Sequence, residues 1–396
     1  MFHRSRGVLI GALAMCCLAP ASGQAAEIPG SYIVTLKSGD PASAADDARR
    51  GQGAEVAHVY RHALSGYSAR MSERAAAAIA RQDRVASVVP DQTVSIAAQS
   101  LPTGIDRIDG ELSSTVSGNG SGAVSVDVAV IDTGVDLDHP DLNVVGGTNC
   151  SNGRSYDDGN GHGTHVAGTI GAKDDANGVV GVAPGARVWA VRVLNNQGSG
   201  SWSSIICGLD WVTANAGTIE VANMSLGGTG SDTGCNDGGM HQAICRSVGA
   251  GVTYAVAAGN ESDDAARHVP AAYDEVITVS ALADFNGKPG GGAAPTCRAD
   301  VDDTFADFSN FGADVDLIAP GVCILSTWKG GGYNTISGTS MASPHVAGAA
   351  ALYKAGSPGA SPAQVKSALQ SAGTLDWNDV DDPDPIKERL LNVDAF

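Results

Sequence analysis

Short strand-length runs at residues 126–131, 187–193, 220–223, 252–257, 276–280 and 316–318 limit what this chain can fold into more than any other feature. Most of them lack the strict polar–apolar alternation of a strand with one wet face. Helix-like stretches rich in small residues lie between or after them, at 163–171, 202–216, 239–248 and 341–355. Buried strands that alternate with helices imply a parallel sheet, because each parallel connection must cross over the sheet and the crossing helix covers a face. We therefore expect an α/β fold, a parallel sheet covered by helices on both faces. The 52 glycines suit many tight turns and close helix–strand contacts.

Three motifs carry chemistry. The first run ends in Asp132-Thr133-Gly134, which puts a carboxylate at the C-terminal end of a buried strand, where open α/β sheets bind ligands. His162 lies between glycines in Asn160-Gly161-His162-Gly163-Thr164-His165 and opens a helix of small residues. Ser340 stands in Gly338-Thr339-Ser340-Met341-Ala342-Ser343-Pro344-His345, at the head of an apolar helix. The unpaired N–H groups there and the positive end of the helix dipole favour developing negative charge. A nucleophile that produces an oxyanion needs such a place, and a serine also needs a base and a group to orient that base. A zinc reading of His162 and His165 is weak: they stand i, i+3 with no His-Glu-x-x-His, and His165 has a packing role open to it beside the helix.

In this order, Asp132, His162, Ser340, and with these neighbours, the chain resembles the subtilisin-like serine peptidases over nearly all of residues 97–396. The resemblance implies a serine endopeptidase acting on proteins and peptides. Ser340 would attack the carbonyl, His162 would serve as base and then acid, and Asp132 would hold the imidazole. Asn260, in Ala257-Ala258-Gly259-Asn260, matches the family's oxyanion amide. Ser225, Leu226 and Gly227 match the edge segment that pairs with an extended substrate, Ala258 and Gly259 match the S1 wall, and His268 is expected to touch that pocket. No acidic residue falls within either wall motif, so a broad apolar and aromatic P1 preference is expected. The loop after His162 is similar to the family's calcium loop. Asp141, Asp175 and the carbonyls of Lys173, Asn177 and Val179 are the candidate ligands of a structural Ca²⁺, with no catalytic cofactor expected. Residues 97–100, the span from Asn260 to Pro270 and the cysteines look more like the proteinase K branch than the thiol-free bacterial subtilisins.

The N-terminus reads differently. His3, Arg4 and Arg6 precede an apolar stretch at 8–18 and small residues up to Ala26, so residues 1–26 are expected to be a secretory signal and the protein extracellular. That stretch is too short for an ordinary membrane span, and no membrane association is expected after its removal. Six further cysteines follow, an even number that suggests disulfides with fifteen pairings possible. Cys235–Cys245 closes the shortest loop, and Cys297–Cys323 with Cys150–Cys207 is our choice for the rest. Residues 27–96 show a strand at 32–36, a helix at 43–50, a strand within 58–68, an alanine-rich helix at 72–81 and a strand at 85–96. This small α+β, ferredoxin-like unit is similar to the family's inhibitory propeptides. The chain's own propeptide is thus an expected inhibitor, cut near Ile96–Ala97 to release the peptidase domain 97–396.

Charge and motif order exclude other classes. Residues 97–396 carry 14 basic against 35 acidic side chains, which argues against nucleic acid or anionic membranes as partners. An esterase of the Gly-x-Ser-x-Gly type would need that motif around the serine and the chain order Ser, Asp, His, and both are absent around Ser340. A catalytically silent scaffold, or a zymogen processed by another protease, is the alternative. A monomer is the expected state.

Overall fold

Residues 27–92 and 99–396 are the described part of a computed structural model. The predicted signal at 1–26 and the predicted cut within 93–98 lie outside the described residues. Two units divide the chain, Met1–Ile96 and Ala97–Phe396.

In the first unit, strand β1 (Glu27–Leu36), helix α1 (Pro41–Gln52), β2 (Glu55–Tyr60), β3 (Gly66–Arg70), α2 (Glu73–Ala80) and β4 (Val85–Gln92) follow one another. The sheet order is β2-β3-β1-β4 with antiparallel neighbours, which is the ferredoxin-like arrangement expected. Local chemistry starts each helix. Asp40 accepts the Ser43 N–H ahead of Pro41 in the first turn, and Ser72 accepts the Ala75 N–H. Val34, Tyr67 and Ile79 fill the core between sheet and helices. The single strand expected within 58–68 is instead parts of two, a hairpin whose strands pair from Glu55↔Arg70 to Tyr60↔Gly66. Ala63 and Leu64 within its turn, residues 61–65, carry the apolar pattern across the break.

The second unit begins with the short α3 (Thr103–Arg107) and then alternates: β5 (Asp127–Asp132), β6 (Val144–Asn149), α4 (His162–Gly171), β7 (Arg187–Arg192), α5 (Trp202–Ala214), β8 (Val221–Met224). It continues with β9 (Gly228–Thr229), α6 (Met240–Gly249), β10 (Thr253–Ala257), β11 (His268–Val269), β12 (Ile277–Ala283), β13 (Thr304–Phe305) and β14 (Leu317–Pro320). The hairpin β15 (Ile324–Trp328) and β16 (Gly332–Ile336), then α7 (Thr339–Gly356) and α8 (Pro362–Ala372), complete it. Strands β6, β7, β5, β8, β10, β12 and β14 pair in parallel, and β13 joins β12 antiparallel. All six predicted strand runs lie in this sheet.

Every residue of β5 is buried, and successive side chains go to opposite cores. Val128 and Val130 pack with residues of α4, α7 and α8, whereas Ala129 and Ile131 pack with residues of α5 and α6. That partition is why residues 128–131 read as continuously apolar. Each fully buried Val or Ile contributes roughly 1.5–3 kcal/mol, so a helix-covered sheet outweighs the cost of ordering its long crossovers. The chain visits β6 and β7 on one side of β5 and then returns to β8 on the other. This reversal opens a crevice at the C-terminal ends of the strands.

Three disulfides form, Cys150–Cys207, Cys235–Cys245 and Cys297–Cys323, the pairing chosen from the sequence. Among the described residues no helix is long and apolar enough to cross a membrane.

Candidate active site

Asp132, the last residue of β5, is fully buried, and Thr133 N–H donates to its Oδ1 at 2.7 Å. His162 is the first residue of α4, and its Nδ1 lies 2.8 and 2.9 Å from the two Asp132 oxygens. Close approach of α4 to the end of β5 requires glycine at 163, where a Cβ would stand 2.1 Å from Gly134 O. Burial pulls the His162 imidazole pKa down, but the Asp132 charge, the bond to that carboxylate and the Asp158 charge outweigh it, and the net shift is upward. The charge of the imidazolium is thus favoured where a base must accept a proton.

Ser340 occupies the first turn of α7. Its hydroxyl donates to Ser225 O at 3.3 Å and makes no bond to His162. Asn260 follows β10 by a tight turn at Gly259, whose φ of 112° only glycine adopts at little cost; a Cβ there would also meet Asn310 Nδ2 at 2.2 Å. Asn260 Oδ1 accepts both the N–H and the hydroxyl of Thr339, at 2.8 and 3.0 Å. With its oxygen held there, the NH₂ of the exposed Asn260 is the part of its amide open to a further acceptor.

These residues border two joined lobes of one cleft. His162, Thr133, Asn160, Trp202 and Ser225 line a lobe of about 790 Å³. Ser340, Asn260, Ala258, Gly259 and His268 line a lobe of about 150 Å³, a volume suited to one side chain. Leu226 and Gly227 border both. The sequence-derived substrate residues therefore come together, and Glu261 joins them. Glu261 Oε2 accepts Asn260 N–H and Asn310 Nδ2 at 2.8 and 2.9 Å and lies 3.5 Å from His268 Nδ1. Reading only the wall motifs overlooked this carboxylate.

A half-buried serine, a histidine paired with a carboxylate, and a nearby amide donor can together carry out acyl transfer. A model described as the Subtilase family matches residues 124–384. The chain belongs to the subtilase family. It is 40% identical to subtilisin DY of Bacillus licheniformis over 302 residues, 75% of this chain and 99% of that one. Subtilisin E of Bacillus subtilis (strain 168) is 39% identical over 82% of this chain and 79% of its own. An extracellular serine proteinase of Thermus sp. (strain Rt41A) is 42% identical over 80% and 73%. A crystal structure of a cold-adapted subtilisin-like serine proteinase superposes with a TM-score of 0.60 at 37% identity, covering 76% of this chain and 99% of that one. Residues 31–97 match a peptidase inhibitor I9 model. This subtilase is a serine endopeptidase with an inhibitor-type propeptide.

Two supports of the site went unnoticed in the sequence. Asp158, buried, accepts Thr133 Oγ1, Asn160 N, Gly161 N and both N and Oγ1 of Thr164, at 2.6–3.0 Å. It satisfies the free N–H groups at the head of α4 and ties that helix to the turn after β5. A relay runs from Ser343 Oγ to Asn223 Oδ1 (2.7 Å), from Asn223 Nδ2 to Ser225 Oγ (2.9 Å), and from Ser225 Oγ to Ser340 O (2.7 Å). Asp158 resembles any loop aspartate, and the relay exists only through tertiary contact. His165, by contrast, packs as expected: its Nε2 donates to Ile324 O at 2.9 Å, and burial pulls its pKa to about 3.

The predicted calcium ligands are partly brought together. Asp141 Oδ2 accepts Val179 N–H at 3.0 Å, while its buried Oδ1 has no partner. The Lys173 and Val179 carbonyls converge on Gln99 Nε2 at 2.6 and 3.2 Å, and Gln99 Oε1 is likewise buried without a donor. Asp175 and Asn177 are exposed and bond to each other, at 3.2 Å from Asn177 N to Asp175 Oδ1. An idle carboxylate oxygen and an idle amide oxygen, with the two main-chain carbonyls that Gln99 now engages, are the donor types a hard cation takes. Gln99 was not among the predicted ligands, because residues 93–100 read as the propeptide's tail.

Proposed function

We propose that this chain is a secreted endopeptidase of broad apolar and aromatic P1 preference that frees itself from its own propeptide. Residues 1–26 are the signal, 27–96 the propeptide and 97–396 the peptidase domain, with the cut near Ile96–Ala97. A relative named as an extracellular proteinase supports export.

In this reading Ser340 Oγ, after rotating from Ser225 O toward His162, attacks the substrate carbonyl. His162 takes its proton and returns it to the leaving amine, and Asp132 holds the tautomer with Nδ1–H toward itself. The oxyanion is received by Ser340 N–H and the Asn260 amide. The observation that carries the proposal is the Asp132–His162 pair at 2.8 Å opening onto the cleft that Ser340 and Asn260 border. An extended substrate would lie along Ser225, Leu226 and Gly227. The small lobe beside Ala258 and Gly259 would take P1, with His268 at its wall. Two donors hold the Glu261 carboxylate, so it does not call for a basic P1.

Asp141, Gln99 and the Lys173 and Val179 carbonyls would hold a structural Ca²⁺, with Asp175 and Asn177 further out. Such an ion would tie residues 99–100 to the loop after α4. The Asn260-to-Pro270 span and three disulfides support a place near the proteinase K branch, and a monomer is the proposed state.

The full chain and its Ser340→Ala variant, followed by intact mass and casein digestion, test this. Loss of a fragment ending near Ile96 in the parent alone, with casein digested, supports it. Equal processing of both assigns the cut to another protease. Cleavage of a peptide library mainly after Lys or Arg would overturn the P1 reading.

A further inference from the structure

Asn260 is mounted on a permissive stretch of main chain. Gly259 before it (φ 112°) and Ser262 after it (φ 51°) are both left-handed, and residues 260–262 are exposed. An oxyanion donor is effective only when it is already aimed as the charge develops. The two bonds to Thr339 fix the Asn260 side-chain oxygen, but they do not hold the main chain that carries it.

Asn310, fully buried in the segment after β13, holds that main chain. Its Nδ2 donates to Ala258 O at 3.0 Å and to Glu261 Oε2 at 2.9 Å. Its Oδ1 accepts the N–H groups of Glu261 and Asp263, at 2.9 and 3.0 Å. Its own N–H donates to Gly259 O at 3.0 Å. Both amide hydrogens and both lone pairs are thus used, a set that neither a carboxylate nor a hydroxyl supplies. These bonds land on either side of Asn260 and none of them on Asn260 itself. Glu261 Oε2 completes the brace, because it also accepts the Asn260 N–H at 2.8 Å. Asn310 borders neither lobe of the cleft, so it has no place from which to touch substrate.

We propose that Asn310 is a positioning residue for the reaction, which acts through residues 258–263 to aim the Asn260 amide at the oxyanion. The proposal rests on the reading of Asn260 as an oxyanion donor. A brace of this kind governs the rate of the chemical step and leaves ground-state binding of the peptide largely alone.

The test is a double-mutant cycle in the full chain, left to process itself, with kcat and KM measured on a peptide anilide of aromatic P1. Asn260→Ala should lower kcat by about 10²–10³-fold. Asn310→Ala should lower kcat about tenfold with KM within about twofold, as for a donor displaced but not removed. In the Asn260→Ala background the same change should alter kcat by less than about twofold, because no amide is left to aim. A role confined to stability would not depend on Asn260 in this way. Asn310→Asp serves should Asn310→Ala not fold. It keeps the two accepted bonds and the volume, but it turns an oxygen toward Ala258 O and the Glu261 carboxylate, and its loss of kcat should show the same dependence on Asn260. An equal loss in both backgrounds, or none in either, would overturn the proposal and leave the role of Asn260 standing. An Asn260→Ala enzyme as fast as its parent would overturn both.

Discussion

Ser225 Oγ donates to the main-chain carbonyl of Ser340 at 2.7 Å, the carbonyl that Pro344 leaves without its helical N–H. Pro344 thus opens a bonding position in the first turn of α7, and the segment after β8 fills it. A side chain, rather than the helix itself, thus joins the turn of Ser340 to the segment after β8.

Removing that donor should slow the reaction. Ser225→Ala is expected to lower kcat about tenfold, or about 1.4 kcal/mol, the scale of one lost buried hydrogen bond. Pro344→Ala restores an N–H opposite Ser340 O, so the double variant should recover most of the loss. Equal kcat in the single and double variants would contradict this account.

Asp158 gathers five donors around the head of α4 and lines neither lobe of the cleft. Asp158→Ala should cost about 3 kcal/mol of stability, measured by denaturant melting of the Ser340→Ala form, because several buried donors lose their acceptor at once. In the active enzyme kcat/KM should fall by about 10²-fold, with Asp158→Asn milder because its amide oxygen still accepts.

The upward shift of His162 fixes the sign of the acid limb. A base works when neutral, so kcat/KM should rise with pH through a midpoint above the ordinary imidazole value of 6.5. Asp132→Asn removes the charge that outweighs burial, and the midpoint should then move down. A wild-type midpoint at or below 6.5 would show that burial wins.

Calcium removal should expose the role of Gln99. Chelator is expected to lower Tm, and an ion at a hundred times its Kd contributes about 2.7 kcal/mol. Asp141→Asn and Gln99→Ala should each shrink the chelator-induced drop. If Gln99→Ala responds to chelator as the parent does, its amide is not a ligand.

Much of the fold was legible because burial on both faces writes itself into strands as apolar runs: 126–131 became β5 and 252–257 became β10 within a residue or two. Strand β6, Val144–Asn149, escaped because its glycines and half-buried positions show no such run. Helix α8 escaped although Ser361, Pro362 and Gln364 spell its capping box, since only Val365 and Leu369 are buried along it.

For the site, the sequence by itself determined the chemical parts: which carboxylate ends a strand, which histidine and serine open helices, and which asparagine follows β10. Each lies at an element boundary whose local signals are strong. Only the tertiary structure decided how those parts are held. Asp158, the Ser343–Asn223–Ser225 relay, Gln99 and the Asn310 brace gain meaning from partners far along the chain or from burial. A hydrogen bond between distant segments leaves no spacing to read, and the cost of a buried unpaired oxygen exists only once the chain has folded around it.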